Sequence, residues 1–155
     1  MTAGDGMASA EVEIRPFAEA DRAAVIALWR EAFPDDPPWN EPEVMIRLKC
    51  RVQPELFLVG CVDGRVVGAV MAGFDGVRGW IHHLAVAPGA RRKGVAARLM
   101  RAAERGLARL GCPKVNLQIR SANNAVVAFY RAIGYAVEDH VSMGKRLGGK
   151  DPRGR

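Results

Sequence analysis

At 155 residues the chain has room for one domain with a core of its own and little room for a second. Hydrophobic residues at 49% and charged residues at 26% are the proportions of a soluble globular fold. No apolar run approaches the roughly 18–20 residues of a membrane span, so no spanning helix and no membrane partner are expected. The net charge of +6 is polarised: ten acids face three arginines in residues 1–45, whereas seven cations face one acid in residues 86–109.

In chain order, "MTAGDGMASA" (residues 1–10) lacks the basic region and apolar core of a secretory signal. It reads as a disordered leader in which Met7 is an alternative start, and the cytoplasm is the expected location. "VEIRPF" alternates and closes on a proline, predicting a first strand. "EADRAAVIALWREAF" places Ala24, Ile26/Ala27, Leu28 and Ala32/Phe33 at helical spacing, with Glu19 or Asp21 favouring its N-terminus. The four prolines of "PDDPPWNEP" predict a loop. "EVMIRLKCRV" resumes a helical period. "ELFLVGCVDGRVVGAVMAGF" predicts a hairpin about Asp63-Gly64, a type I′ signal.

"WIHHLAV" is a further strand, and residues 95–110 form an amphipathic helix that stops near Gly111 and Pro113. "KVNLQIR" predicts another strand. "NNAVVAFYRAIGY" predicts a short helix capped by Asn123 and closed by Gly134. "YAVEDHVSMGKRL" predicts the last strand, before a basic tail (148–155) expected to be disordered. The order β-α-α-β-β-β-α-β-α-β implies an α/β (mixed α+β) domain over 11–147. Its mixed, mostly antiparallel sheet would carry helices on both faces. Cys50, Cys61 and Cys112 have neither disulfide-framework nor zinc spacing, so no metal is expected, and Cys61 reads as a small buried hydrophobe.

The densest chemistry lies in "HLAVAPGARRKGVAARLM". A strand runs through Pro88 into a glycine and three cations, Arg91, Arg92 and Lys93, and then opens a helix. A helix N-terminus carries unpaired N–H groups and a positive dipole end, so it suits an anion. Gly94 would let the backbone approach a ligand, and Ala96 and Ala97 leave the first turn uncrowded. The spacing is not that of a nucleotide-triphosphate loop or a dinucleotide fingerprint. An ordinary solvated helix start would also fit these residues alone.

The R-x-x-G-x-A pattern at Arg91, Gly94 and Ala96 resembles the acyl-CoA pyrophosphate loop of the GNAT superfamily of N-acetyltransferases, and "PPWNEPE" resembles that family's small bacterial single-domain members. "NNAVVAFYRAIGY" is similar to the same family's second motif, with Asn123, Tyr130, Gly134 and Tyr135 on its landmarks. Two departures stand out. Ala90 replaces a common aromatic, and Ala96 replaces a glycine, yet neither removes a backbone donor. The resemblance implies direct attack of an amine on acetyl-CoA through a tetrahedral intermediate. It assigns the cosubstrate to Leu84, Val86, Arg91, Arg92, Lys93, Gly94, Val95, Ala96, Asn123 and Tyr130. The amides of residues 92–96 would hold the pyrophosphate, the amides around Leu84 and Val86 the pantetheine arm and the oxyanion.

Tyr130, at i+7 from Asn123, would share its helix face and protonate the leaving thiolate. An amine near pKa ~10.4 must lose a proton before it attacks. His82 resembles the histidine of arylalkylamine-type members and is the favoured base, with Glu55, Asp75 or a water as alternatives. Strand alternation would send His82 and His83 to opposite faces. The acceptor side would be "EAFPDDPPWNEPE", where Asp35, Asp36, Glu41 and Glu43 surround Trp39. Either a small amine or a protein amine is compatible, as is a homodimer. A noncatalytic acyl-CoA sensor is the alternative reading. Nucleic acid is the least favoured partner: the Arg98, Arg101, Arg105, Arg109 stripe lacks interleaved aromatics and reads as one solvated helix face.

Overall fold

Each strand of the sheet reflects a local instruction in the chain. β1 (Val12–Pro16), β2 (Phe57–Val62), β3 (Arg65–Phe74), β4 (Gly79–Val86) and β5 (Val115–Leu117) lie side by side in that order. β1 to β4 are antiparallel, and β5 joins β4 in parallel. The β2–β3 connection is the predicted two-residue turn: Asp63 and Gly64 take φ of 50° and 73°, both left-handed as a type I′ turn demands. The computed structural model describes residues 11–148, as one unit running to Gln118 and a second starting at Ile119. The expected leader, and the expected tail beyond Gly148, lie outside the described residues.

In the first unit, one face of the sheet is covered by α1 (Arg22–Ala32) and α2 (Pro42–Lys49). Val25, Leu28 and Trp29 of α1 and Ile46 of α2 pack with Phe57, Val59, Cys61, Ala69, Met71 and Ala85. Leu28 is buried and Ile26, Ala32 and Phe33 pack against this core as their spacing implied, whereas Ala24 and Ala27 are exposed and Val25 and Trp29 are buried beside them. Trp29 stacks on Phe57 at 5.7 Å, and Phe57 on Phe17 at 4.4 Å. Burying each large ring stabilises by about 2–3 kcal/mol. Asp21 holds the start of α1: it accepts from the Ala18 N–H at 2.9 Å and pairs with Arg15 at 2.7 Å.

The opposite face belongs to α3 (Val95–Arg109), which buries Val95, Leu99, Met100, Ala103 and Leu107. Arg98, Arg101, Arg105 and Arg109 are exposed, as their spacing implied. Small residues on the sheet admit this helix. A Cβ on Gly68 would stand 2.9 Å from Val95 Cγ1 and 3.0 Å from Leu99 Cδ1. The start of α3 is thus pressed directly onto β3.

The second unit is built around α4 (Asn124–Ala132). Asn123 caps it, its side chain accepting from the Val126 N–H at 3.3 Å. Gly134, at φ 102°, ends it. The Tyr135 N–H reaches the Tyr130 carbonyl at 3.0 Å and the Gly134 N–H the Arg131 carbonyl at 3.1 Å, the paired bonds of a Schellman closure. The last expected strand is not formed: residues 136–148 carry no strand, and Val137, Val141, Met143 and Leu147 are exposed. A strand exists only by pairing. Here the local bond from His140 N–H to the Glu138 carbonyl replaces a ladder, and Asp139 and Lys145 interrupt the apolar alternation. β5 is likewise shorter than its sequence suggested, at three residues.

Candidate active site

The loop between β4 and α3 is a 3-10 turn over Pro88–Lys93 that delivers the chain to Gly94. Gly94 takes φ 71°, and a Cβ there would meet nothing within 4 Å. The glycine is demanded by backbone conformation, which costs an L-residue roughly 1–2 kcal/mol. Ala90 is buried beneath the turn. The α3 ladder begins with the Arg98 N–H on the Gly94 carbonyl at 3.1 Å, and no side chain caps the helix. The amides of Val95, Ala96 and Ala97 therefore precede the first intrahelical bond. Val95 and Ala96 belong to the expected set of 92–96, and Ala97 adds to it. Arg91 and Lys93 are exposed beside it. An open backbone cradle with adjacent cations fits a phosphate-bearing ligand.

The second feature is a fork in the sheet. β4 and β5 pair only at Gly79↔Val115, Trp80↔Asn116 and Ile81↔Leu117, after which β4 continues for five residues. No strand among the described residues follows it on that side. The Ala87 N–H donates to the Val67 carbonyl of the β3 side at 2.7 Å. Alternation then turns the Val86 N–H away from β3, toward the opened side. At the fork, Asn116 Oδ1 is buried without a hydrogen-bond partner among the described residues.

The two histidines do not alternate. Between Ala69 and Met71 of β3 two residues elapse, whereas between Ala85 and His82 of β4 three do, and this extra residue is a bulge. His83 carries it at φ 54°, a left-handed conformation costly for a bulky side chain. His82 lies opposite Met71, on the α1–α2 face. His83 reaches the same face: its ring is 5.4 Å from Trp29 and 5.1 Å from Phe33. The expectation of opposite faces is therefore wrong, because the bulge cancels one alternation. Leu84 and Val86 fall on the α3 face instead, Val86 opposite Gly68.

His83 is held on three sides. Its Nε2 bonds Asp36 Oδ2 at 2.9 Å, and the Trp29 Nε1–H donates to its backbone carbonyl at 3.0 Å. Phe33 closes edge-on. His82 is exposed, yet the protein packed around it disfavours its cation, and His83 and Lys49 add to this, so its pKa falls below the ordinary 6.5. Lys49 is itself lowered by burial and donates to the Val52 carbonyl at 2.9 Å. Asp75 spends its carboxylate on a turn, accepting from Val77 and Arg78 amides. Glu55 is exposed in the turn before β2.

On the same face, Trp29, Phe33, Asp36 and Glu41, with four prolines, line a concavity of about 500 Å³. Two of the four acids expected at this rim are already engaged, Asp36 with His83 and Glu41 with Arg30 at 2.6 Å. Asp35 and Glu43 are exposed, as is Trp39. In the second unit Tyr130 is buried, with Phe129 and Tyr135 edge-on at 5.1 and 5.6 Å. Burial raises its phenol from 10 to about 12. Trp29 and Asn116 carry no signal of a role in the sequence around them, since their importance comes from strands and helices far away in the chain.

Residues 22–135 match the acetyltransferase (GNAT) family. An acetyltransferase of Pectobacterium atrosepticum is 43% identical over 136 residues, spanning 88% of this chain and 96% of the relative. An uncharacterized N-acetyltransferase of Yersinia pestis matches to the same extent. Among solved structures, Ard1 from Thermoplasma volcanium superposes with a TM-score of 0.74 at 26% identity, covering 82% of this chain and 84% of its own. The aminoglycoside N-acetyltransferase AAC(6')-Iy, solved with CoA, shares the fold at a TM-score of 0.72 and 17% identity, over 89% of this chain and 96% of its own. No described helix is long and apolar enough to cross a membrane. The cradle before α3, the forked sheet and these relatives agree: the chain belongs to the GNAT family of acetyltransferases and is an N-acetyltransferase.

Proposed function

We propose that the chain transfers the acetyl group of acetyl-CoA directly to a primary amine, small or protein-borne. The observation that carries this is the open amide set at Val95, Ala96 and Ala97 behind the left-handed Gly94, in a chain of this family. Those amides, with the exposed Arg91 and Lys93 nearby, would hold the pyrophosphate; Arg92 is assigned to the same group from the sequence pattern, and its side chain lies outside the described ones. The β4 edge beyond Ile81, with Leu84 and Val86, would bind the pantetheine arm, and its N–H groups would face the oxyanion. Asn123 has committed its Oδ1 to the helix cap, so its amide nitrogen is what it offers the arm.

In this reading the amine nitrogen attacks the thioester carbon, and the C–S bond breaks as the oxyanion collapses. His82 takes the proton the amine gives up, because its lowered pKa keeps it neutral at pH 7. Tyr130, raised to about 12, stays protonated at pH 7 and gives its proton to the departing thiolate. The concavity of the α1–α2 loop would seat the acceptor.

Calorimetric titration with acetyl-CoA, beside thiol release against pooled amines and peptides, tests the proposal. Binding with amine-dependent release of CoA is the expected result. Binding without release from any pool would favour an acyl-CoA sensor, and no binding would refute the cradle.

A further inference from the structure

We propose that Asp36 and Trp29 form a clamp on His83 that holds the β4 bulge in place, making His83 a positioning residue that aims His82 toward the acceptor side. The inference rests on the proposed acetyl transfer for its purpose, and on geometry alone for its existence. Three observations converge on one residue. His83 sits at φ 54° in an otherwise extended strand. Its carbonyl is gripped by Trp29 from α1 and its ring by Asp36 from the α1–α2 loop. Phe33 and Trp29 pack against that ring.

A strained backbone persists only where its surroundings over-determine it. Without the clamp, β4 would regain regular alternation, and in a strand a one-residue slip moves every following side chain to the other face. His82 would then leave the face it shares with Met71 and the α1–α2 elements. The same clamp fastens the loop that carries Asp36 to the strand beside the fork. The wall of the acceptor concavity and the aim of His82 are thereby set by one hydrogen-bonded pair.

Hydrogen–deuterium exchange on the full chain reads both ends of the clamp. Asp36→Ala is expected to speed exchange at least tenfold in residues 34–41 and 80–86, while α3 keeps its protection. Asp36→Asn, whose Oδ1 still accepts the Nε2–H, is expected to remain within threefold of the unaltered chain. Unchanged exchange over 80–86 in Asp36→Ala would overturn the clamp. If Asp36→Ala loses protection in β2 and α3 as well, Trp29→Phe carries the test, since it deletes the Nε1 donor and keeps a stacked ring. Faster exchange confined to 80–86 supports the clamp, and none refutes it.

With acetyl-CoA and an amine taken up in the thiol-release assay, Asp36→Ala should lower kcat at least thirtyfold. The KM for acetyl-CoA should change less than threefold, and Asp36→Asn should recover most of the loss. A kcat that survives Asp36→Ala would overturn the aiming role. The exchange measurement needs no acceptor, so a chain that failed to acetylate amines would refute the proposed activity and leave the clamp standing or falling on exchange alone.

Discussion

At the scale of single residues, the two proposed proton carriers have been moved in opposite directions from their ordinary values. Tyr130 is raised to about 12 by burial, and His82 is lowered by desolvation and by His83 and Lys49. Tyr130→Phe is therefore expected to cut kcat by roughly 10²- to 10⁴-fold while leaving acetyl-CoA affinity within twofold, checked by stopped-flow and calorimetry. For His82 the rising limb of kcat/KM against pH should have its midpoint below 6.5, the side on which a disfavoured cation titrates. His82→Gln should abolish that limb. The stability linkage has the same sign: below the ordinary histidine range the unfolded chain binds the extra proton, so acidification costs stability through His82. An unaltered pH–rate profile in His82→Gln would assign the base elsewhere.

At the scale of elements, the approach of α3 to the sheet depends on missing side chains. A Cβ on Gly68 would press on Val95, Leu99 and the Ala85 carbonyl, at 2.9, 3.0 and 3.3 Å. Gly68→Ala is expected to cost about 1–3 kcal/mol by overpacking, read from urea denaturation. It should also weaken acetyl-CoA binding, because the contact falls on the first turn of the helix that presents the open amides. Much of this architecture was legible in the sequence. Asp63-Gly64, Gly94, Asn123 and Gly134 declare turns and caps through chemistry contained within a few residues. The bulge at His83 was not legible, because nothing near it in the chain demands a left-handed histidine. The demand comes from Trp29 and Asp36, 54 and 47 residues away. The final strand was misread for the converse reason: an apolar alternation announces a willingness to pair and says nothing of a partner.

At the scale of the whole molecule, charge is sorted by position. The acids gather before residue 46 and the cations around the start and exposed face of α3. Because Arg91 and Lys93 are exposed, their attraction for a phosphate is screened by salt over roughly 8–10 Å at physiological strength. Acetyl-CoA affinity should accordingly fall severalfold between 50 and ~500 mM salt, and an affinity indifferent to salt would remove those side chains from the binding account. The buried Asp21 responds differently. The Arg15 guanidinium holds its carboxylate below the usual range, so the pair stabilises the fold above that range, and its contribution is lost as pH falls through the depressed value. Asp21→Ala should cost about 2 kcal/mol near neutrality and flatten the acid limb of the stability curve.

The fork between β4 and β5 has a consequence for how the protein behaves in a tube. A strand edge beside which no strand lies can template the addition of another strand from any chain that offers one. In the proposed reading the pantetheine arm occupies that edge during turnover, so the cosubstrate also acts as a plug against self-association. Purification without acetyl-CoA or CoA should then yield a preparation that thickens into soluble aggregates on concentration, and adding the thioester should disperse the newly formed ones. The shelf life of the enzyme would track the same backbone groups that serve its chemistry.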